Sequence, residues 1–157
     1  MRRAALIAAI VAIADQLTKL VVIALMPEGQ SRPIIVGLFN LVHWHNSGAA
    51  WGIFQNYNIV LAVVSALTIV AMYFFRHSLL LDHPVCQVAL GLITGGIVGN
   101  LIDRVRLKCV VDFLDFHIDK HHWPAFNVAD SAICVGVGLY LLGSWLSERA
   151  AEKVQSA

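Results

Sequence analysis

The sequence predicts an all-α membrane protein with four transmembrane helices, a small β-sheet and a short surface helix at one membrane face. Two observations carry that prediction. The 157 residues are 59% hydrophobic and only 13% charged, with a mean hydropathy of +0.74, a balance that a water-exposed surface does not tolerate. Four apolar segments also approach the roughly 20 residues that a spanning helix needs. A net charge of +1 supplies no basic field for nucleic acid, so no nucleic-acid partner is expected.

The four segments are 4–26, 59–75, 85–102 and 128–146. The first follows Met1-Arg2-Arg3 in the manner of a signal peptide, but its apolar run continues to Met26 without a small-residue cleavage site, so it is read as a permanent helix. Between the first two segments, 27–58 is of mixed polarity. Ile34-Ile35-Val36 and the run from Phe39 to His45 look extended and are divided by Gly37, which fits a small sheet at the membrane surface. The link from Arg76 to Pro84 is short, so helices two and three should be antiparallel neighbours. The last connection, 103–126, falls on the same side as 27–58, and the two loops can build one site. Residues 1–157 read as a single domain.

Lysine and arginine do not orient the chain. Arg2, Arg3, Arg76, Arg149 and Lys153 on one side face Arg32, Arg104, Arg106, Lys108 and Lys120 on the other. Cys86, Cys109 and Cys134 form an odd set without CxxC spacing and read as structural.

Several polar residues stand where lipid would penalise them. Asp15 and Lys19 share one face of the first helix and can pair inside the bundle, where each charge would otherwise cost roughly 2.5–3.5 kcal/mol. Lys19 is expected to support the site while snorkelling toward the loop side. Gly91, Gly95 and Gly99, with Gly96 beside them, allow close helix approach, and Asn100-Leu-Ile-Asp103-Arg104 follows. An Asp103–Arg104 ion pair fixing the loop would explain part of that string. Asp112 lies in the apolar Val110–Phe116 run, where burial would raise its pKa, although a surface strand showing the carboxylate to water is also open. Asn127 and Asp130 have the spacing of an N-cap and its capping-box partner.

Together these residues point to chemistry that capping and pairing alone do not require. Two carboxylates at loop-side ends of adjacent elements suit peptide hydrolysis: one takes a proton from water while its protonated neighbour polarises the carbonyl. No metal or other cofactor is needed. The HExxH string of zinc proteases is absent. The His117–His122 stretch, with His43 and His45, is read as surface histidine rather than a metal site.

The strings Asp15-Gln-Leu-Thr-Lys19, Asn46-Ser-Gly-Ala-Ala-Trp51, Gly95 to Arg104, Val110-Val-Asp112-Phe113 and Phe126-Asn-Val-Ala-Asp130 occur in order at the helix ends. In this the chain resembles the lipoprotein signal peptidases, or signal peptidase II family. The resemblance implies an aspartic endopeptidase with Asp112 and Asp130 as its catalytic dyad. It implies that Asn46, Asn100, Asp103, Arg104 and Asn127 support the site or its substrate, and that Asp15 and Lys19 are further motif positions. It also implies both termini in the cytoplasm and a site at the outer face of the bacterial plasma (inner) membrane. The sheet of 27–58 and a surface helix, for which Gly48 to Asn56 is the candidate, would then be extracytoplasmic.

The substrates implied are prolipoproteins carrying diacylglyceryl on a cysteine, cut just before it. Membrane lipids and globomycin-type peptide inhibitors are the other implied partners. The acyl chains would act as a depth gauge, staying in lipid while the scissile bond reaches the dyad. Trp51 and the histidine stretch are expected to be particular to this chain, with interfacial anchoring the expected role of Trp44, Trp51 and Trp123. The alternative from another class is a small transporter or channel subunit, whose polar residues should be spread through membrane depth. Here, Asp15 apart, they gather at one face.

Overall fold

The computed structural model describes residues 2–49, 53–79 and 84–155. Their runs of Ala, Leu, Ile and Val form α1 (Arg2–Leu25), α2 (Asn58–Phe74), α3 (Arg76–Leu79), α4 (Pro84–Leu107) and α5 (Val128–Gln155). Among the described residues three helices are long and apolar enough to cross a membrane: α1, α4 and the Val128–Arg149 part of α5. With 17 residues, α2 is shorter; at 1.5 Å per residue it extends about 26 Å against a hydrocarbon core of about 30 Å. Its residues are none of them buried, and Ile59, Val63, Leu67 and Phe74 face outward, as a lipid-facing surface requires.

Contacts at small residues fix the helix directions. Cβ atoms added at Gly91 and Gly95 would strike the backbone at Ala4 and Ala8, and one at Gly99 would strike Asp15, so α1 runs parallel to α4. On the opposite face of α4, Gly96 meets Ala129, and Gly136 and Gly143 of α5 meet Ile93 and Cys86, so α5 runs antiparallel. Asn58 at the start of α2 donates to the carbonyl of Arg104 near the end of α4, at 3.1 Å. Met72, near the other end of α2, contacts Thr94, which makes α2 and α4 antiparallel neighbours. The glycines thus let α4 sit centrally with helix axes unusually close.

Two helices outrun the bounds read from hydropathy. The third was expected to end at Ile102, but α4 continues to Leu107 because its polar last turns are held by partners rather than released. Lys108, at φ 66°, then breaks it in a left-handed conformation. The fourth continues from Leu146 to Gln155 through Glu148, Arg149, Glu152 and Lys153, good helix formers in water.

The loops after α1 and α4 join in one antiparallel sheet, β1 (Ser31–Ile35), β2 (Phe39–Asn46), β3 (Val110–Ile118) and β4 (His121–His122), in that spatial order. Gly37, at φ 79°, makes the β1–β2 turn, and Pro33 is tolerated because β1 is an edge. A bulge between Leu41 and Trp44 shifts the register, so that Trp44 opposes Asp112 and Asn46 opposes Val110. The helix expected at Gly48 to Asn56 is not seen among its described residues. Positions 53–56 are turn, with left-handed φ of 57° at Phe54 and 69° at Asn56 that a helix does not admit. Positions 50–52, Trp51 included, lie outside the described residues.

Candidate active site

The site forms where β3, the start of α5 and the end of α4 meet. Phe126 bridges to Leu114. Its carbonyl accepts from the amides of Phe113 and Leu114, and its amide donates back to Leu114 at 3.1 Å. That clip sets Asn127, the N-cap of α5, beside Asp112 on β3. The side-chain amide of Asn127 donates to Asp112 Oδ1 at 2.8 Å and also approaches Asn100 Oδ1 and the Val111 carbonyl. Asn127 and Asp130 form a reciprocal capping box: Asn127 Oδ1 accepts from the Asp130 amide at 3.0 Å, and Asp130 Oδ2 accepts from the Asn127 amide at 3.2 Å.

Each carboxylate receives two neutral donors. Asp112 takes its second from Asn46 Nδ2 at 3.0 Å on Oδ2, and Asp130 takes its second from Asn100 Nδ2 at 2.8 Å on Oδ1. Asn46 is itself fixed by accepting from the Gly48 amide, and Arg104 donates to the Gly48 carbonyl. The bulge and the register of β2 on β3 therefore carry Asn46 to its position. Asp112 is buried rather than presented to water on the strand, at 4% exposed. Burial, and next the Asp130 charge, push its pKa up to about 7, against the opposing hydrogen bonds of Asn46 and Asn127 and the Lys19 charge.

Both carboxylates line a largely apolar cleft of about 460 Å³, together with Asn46, Asn100 and Arg104 and with Phe126, Trp123 and Ile133. A cleft of this kind suits an apolar peptide brought to a few convergent polar groups.

Asp15, Lys19 and Asp103 do not line it. They form a buried ionic layer beside it. Lys19 Nζ lies 2.8 Å from Asp15, 2.7 Å from Asp103 and 2.9 Å from Asn100 Oδ1, which uses all three of its protons. At 2% exposed, Lys19 does not snorkel toward the loops as expected: carboxylates on α1 and α4 hold it inside. Asp103 pairs with Lys19 and not with Arg104, which turns to the carbonyls of Gly48 and Asn100. Asp15 also caps α5 by accepting from the Ala129 amide at 2.9 Å.

Two groups went unassigned in the sequence. Gln16, inside the first motif, ties Asp103 Oδ1 and the Gly99 carbonyl to α1, and accepts from Arg106. Asp115 is buried between Asn40 and His122, at 2.8 Å from each. The Gln16 position was visible in the motif, whereas the Asp115 pairing depends on a hairpin that no local pattern announces. Among the described residues no cluster of His, Cys, Asp and Glu is arranged to hold a metal. Cys86, Cys109 and Cys134 are free thiols. Trp44 and Trp123 are both exposed at this end, while Trp51 lies outside the described residues.

Residues 7–146 match the family described as Signal peptidase (SPase) II. The chain is 44% identical over 143 residues to a lipoprotein signal peptidase of Syntrophotalea carbinolica, covering 89% of each chain. It is 45% identical over 152 residues to one of Geobacter metallireducens, covering 94% of this chain and 93% of that one. A solved structure described as a bacterial membrane enzyme, at 2.3 Å resolution, is 33% identical and superposes with a TM-score of 0.85, covering 96% of this chain and 92% of the other. A second, at 1.9 Å resolution, is 34% identical with a TM-score of 0.78, covering 90% of this chain and 92% of that one. By sequence over nearly its whole length, and with the fold to match, the chain belongs to the signal peptidase II family, a family of aspartic peptidases.

Proposed function

We propose that this peptidase removes the signal peptide from diacylglyceryl-modified prolipoproteins, cutting the bond before the lipidated cysteine with Asp112 and Asp130 as its dyad. The observation that carries the reading is Asn127, whose side-chain amide holds Asp112 and whose backbone amide holds Asp130 at the wall of one apolar cleft. In the reaction the ionised carboxylate takes a proton from a water molecule as that water attacks the scissile carbonyl. The protonated carboxylate gives its proton to the carbonyl oxygen, and the resulting tetrahedral diol collapses with proton transfer to the leaving nitrogen. Two carboxylates sharing one proton meet both needs, and the raised Asp112 pKa supports that sharing near neutral pH.

The whole chain acts as one membrane domain with four crossings. The 17-residue α2 makes the fourth by thinning the bilayer locally. Both termini lie in the cytoplasm of a bacterial cell, and the sheet and cleft face the outer side of the plasma membrane. Asn46, Asn100 and Asn127 orient the carboxylates, and Arg104 stands at the cleft wall to meet a substrate carbonyl or lipid ester. Asp15, Lys19 and Asp103 hold the layer behind them. The signal peptide's helix lies against the apolar wall while its acyl chains remain among membrane lipids. Globomycin-type peptides would compete for the same cleft.

The test is cleavage of a diacylglyceryl-modified prolipoprotein by purified protein in nanodiscs, with Asp112→Asn and Asp130→Asn as separate variants. Wild type should release a signal-peptide-sized fragment, and both folded variants should release none. Near-normal turnover by either variant would sink the dyad.

A further inference from the structure

At the end of the bundle away from the carboxylates, α2 and α1 do not close on one another. An apolar crevice of about 220 Å³ separates them, floored by Leu90 and Thr94 of α4. On one side Ala4, Ala5 and Ala8 present only methyl groups, and on the other stand Ile69, Met72 and Tyr73. The alanines keep the slot open where larger side chains would fill it. Its mouth is cationic. Arg76, the first residue of α3, lies over the Tyr73 ring at 4.6 Å and spends one guanidinium nitrogen on the Tyr73 carbonyl at 2.8 Å. Among the described residues its Nε is buried with no partner. Arg2 and Arg3 stand exposed just ahead of Ala4.

We infer that this crevice is a binding site for an anionic phospholipid of the leaflet at the α1 N-terminal end, with an acyl chain between α1 and α2 and the phosphate on Arg76. Two separate observations support it. A dry slot open to bilayer at this depth takes hydrocarbon and not water. The terminal guanidinium nitrogen of Arg76 that is not spent on Tyr73 can donate to a phosphate oxygen, with Arg2 and Arg3 adding attraction for negative headgroups. The site also gives α2 a packing partner where the crevice separates it from α1. A free phosphate ion would satisfy Arg76 but leave the crevice empty.

Purified full-length protein is incubated in detergent with dioleoyl phosphatidylglycerol or dioleoyl phosphatidylcholine, and bound lipid is counted by native mass spectrometry. Wild type should retain phosphatidylglycerol roughly tenfold better than phosphatidylcholine, whose phosphate is the same but whose choline cancels the net charge that Arg76, Arg2 and Arg3 attract. Arg76→Gln should erase the preference. Ala5→Phe, at an exposed position that tolerates the ring without disturbing helix contacts, should block both lipids, with monodisperse elution showing that the variant is folded. Equal retention of the two lipids by wild type overturns the assignment, as does undiminished phosphatidylglycerol binding by either variant.

Discussion

The side-chain amide of Asn127 lies 2.8 Å from Oδ1 of Asp112, and the same residue begins the helix that carries Asp130. One asparagine therefore sets the relative position of both carboxylates, by its side chain on one and by the helix start on the other.

Replacing it separates these duties. Asn127→Ala should lose the cap, about 1 kcal/mol of stability, and lower kcat on the order of a hundredfold through misplacement. Asn127→Ser restores an N-cap acceptor but is too short to hold Asp112. Thermal unfolding of the serine variant should return close to wild type while kcat stays low; joint recovery would show that capping was its whole role.

The Asp112 pKa of about 7 gives two linked pH effects. In the proposed mechanism the dyad proton is needed for catalysis, so kcat/KM should fall on the alkaline side with a midpoint near pH 7. For stability the folded pKa lies above the ordinary 3.8, so the folded state holds the extra proton. Stability from this source is complete below about pH 4 and is lost as pH rises to about 7, by at most roughly 4 kcal/mol at 1.4 per unit. Asp112→Asn should flatten that slope in melting temperature measured from pH 4.5 to 8.

Lys19→Met should leave Asp15 and Asp103 buried without their cation, costing about 3–5 kcal/mol. Adding Asp103→Asn removes one of the two stranded charges and should recover part of the loss. Melting temperatures in detergent measure both, and strictly additive losses would show that the three groups do not act as a unit.

A methyl group at Gly96 meets the backbone carbonyl of Ala129, so Gly96→Ala must push α5 away from α4. Because Asp130 follows directly, turnover should fall along with stability. Gly138→Ala, with nothing within 4 Å of the added carbon, should leave cleavage at wild-type level.

Most of this organisation was legible in the sequence because lipid imposes so plain a pattern: length and apolarity mark α1, α4 and α5, and charges out of place mark the polar residues that the fold brings together. What was not legible depends on partners distant in sequence. The last turns of α4 look like loop because Asp103 and Arg104 are polar, yet Lys19 and Gly48 hold them helical. Lys19 looks able to reach the surface, and only the approach of α4 along Gly99 shows why it stays inside. The β2 bulge that delivers Asn46 to Asp112 has no local signal, nor has the Asp115–His122 contact.

The Phe126 clip limits how a peptide can be recognised. Its backbone groups already occupy the amides of Phe113 and Leu114, so the edge of β3 beside the carboxylates is closed to an incoming strand. A peptide cannot be gripped there by main-chain pairing, which would accept any extended sequence. On the proposed function, selection at that edge would rest instead on the shape and greasiness of side groups and on where the membrane holds them. Many unrelated signal sequences can then be accepted, while an extended soluble chain drifting past finds no ladder to join.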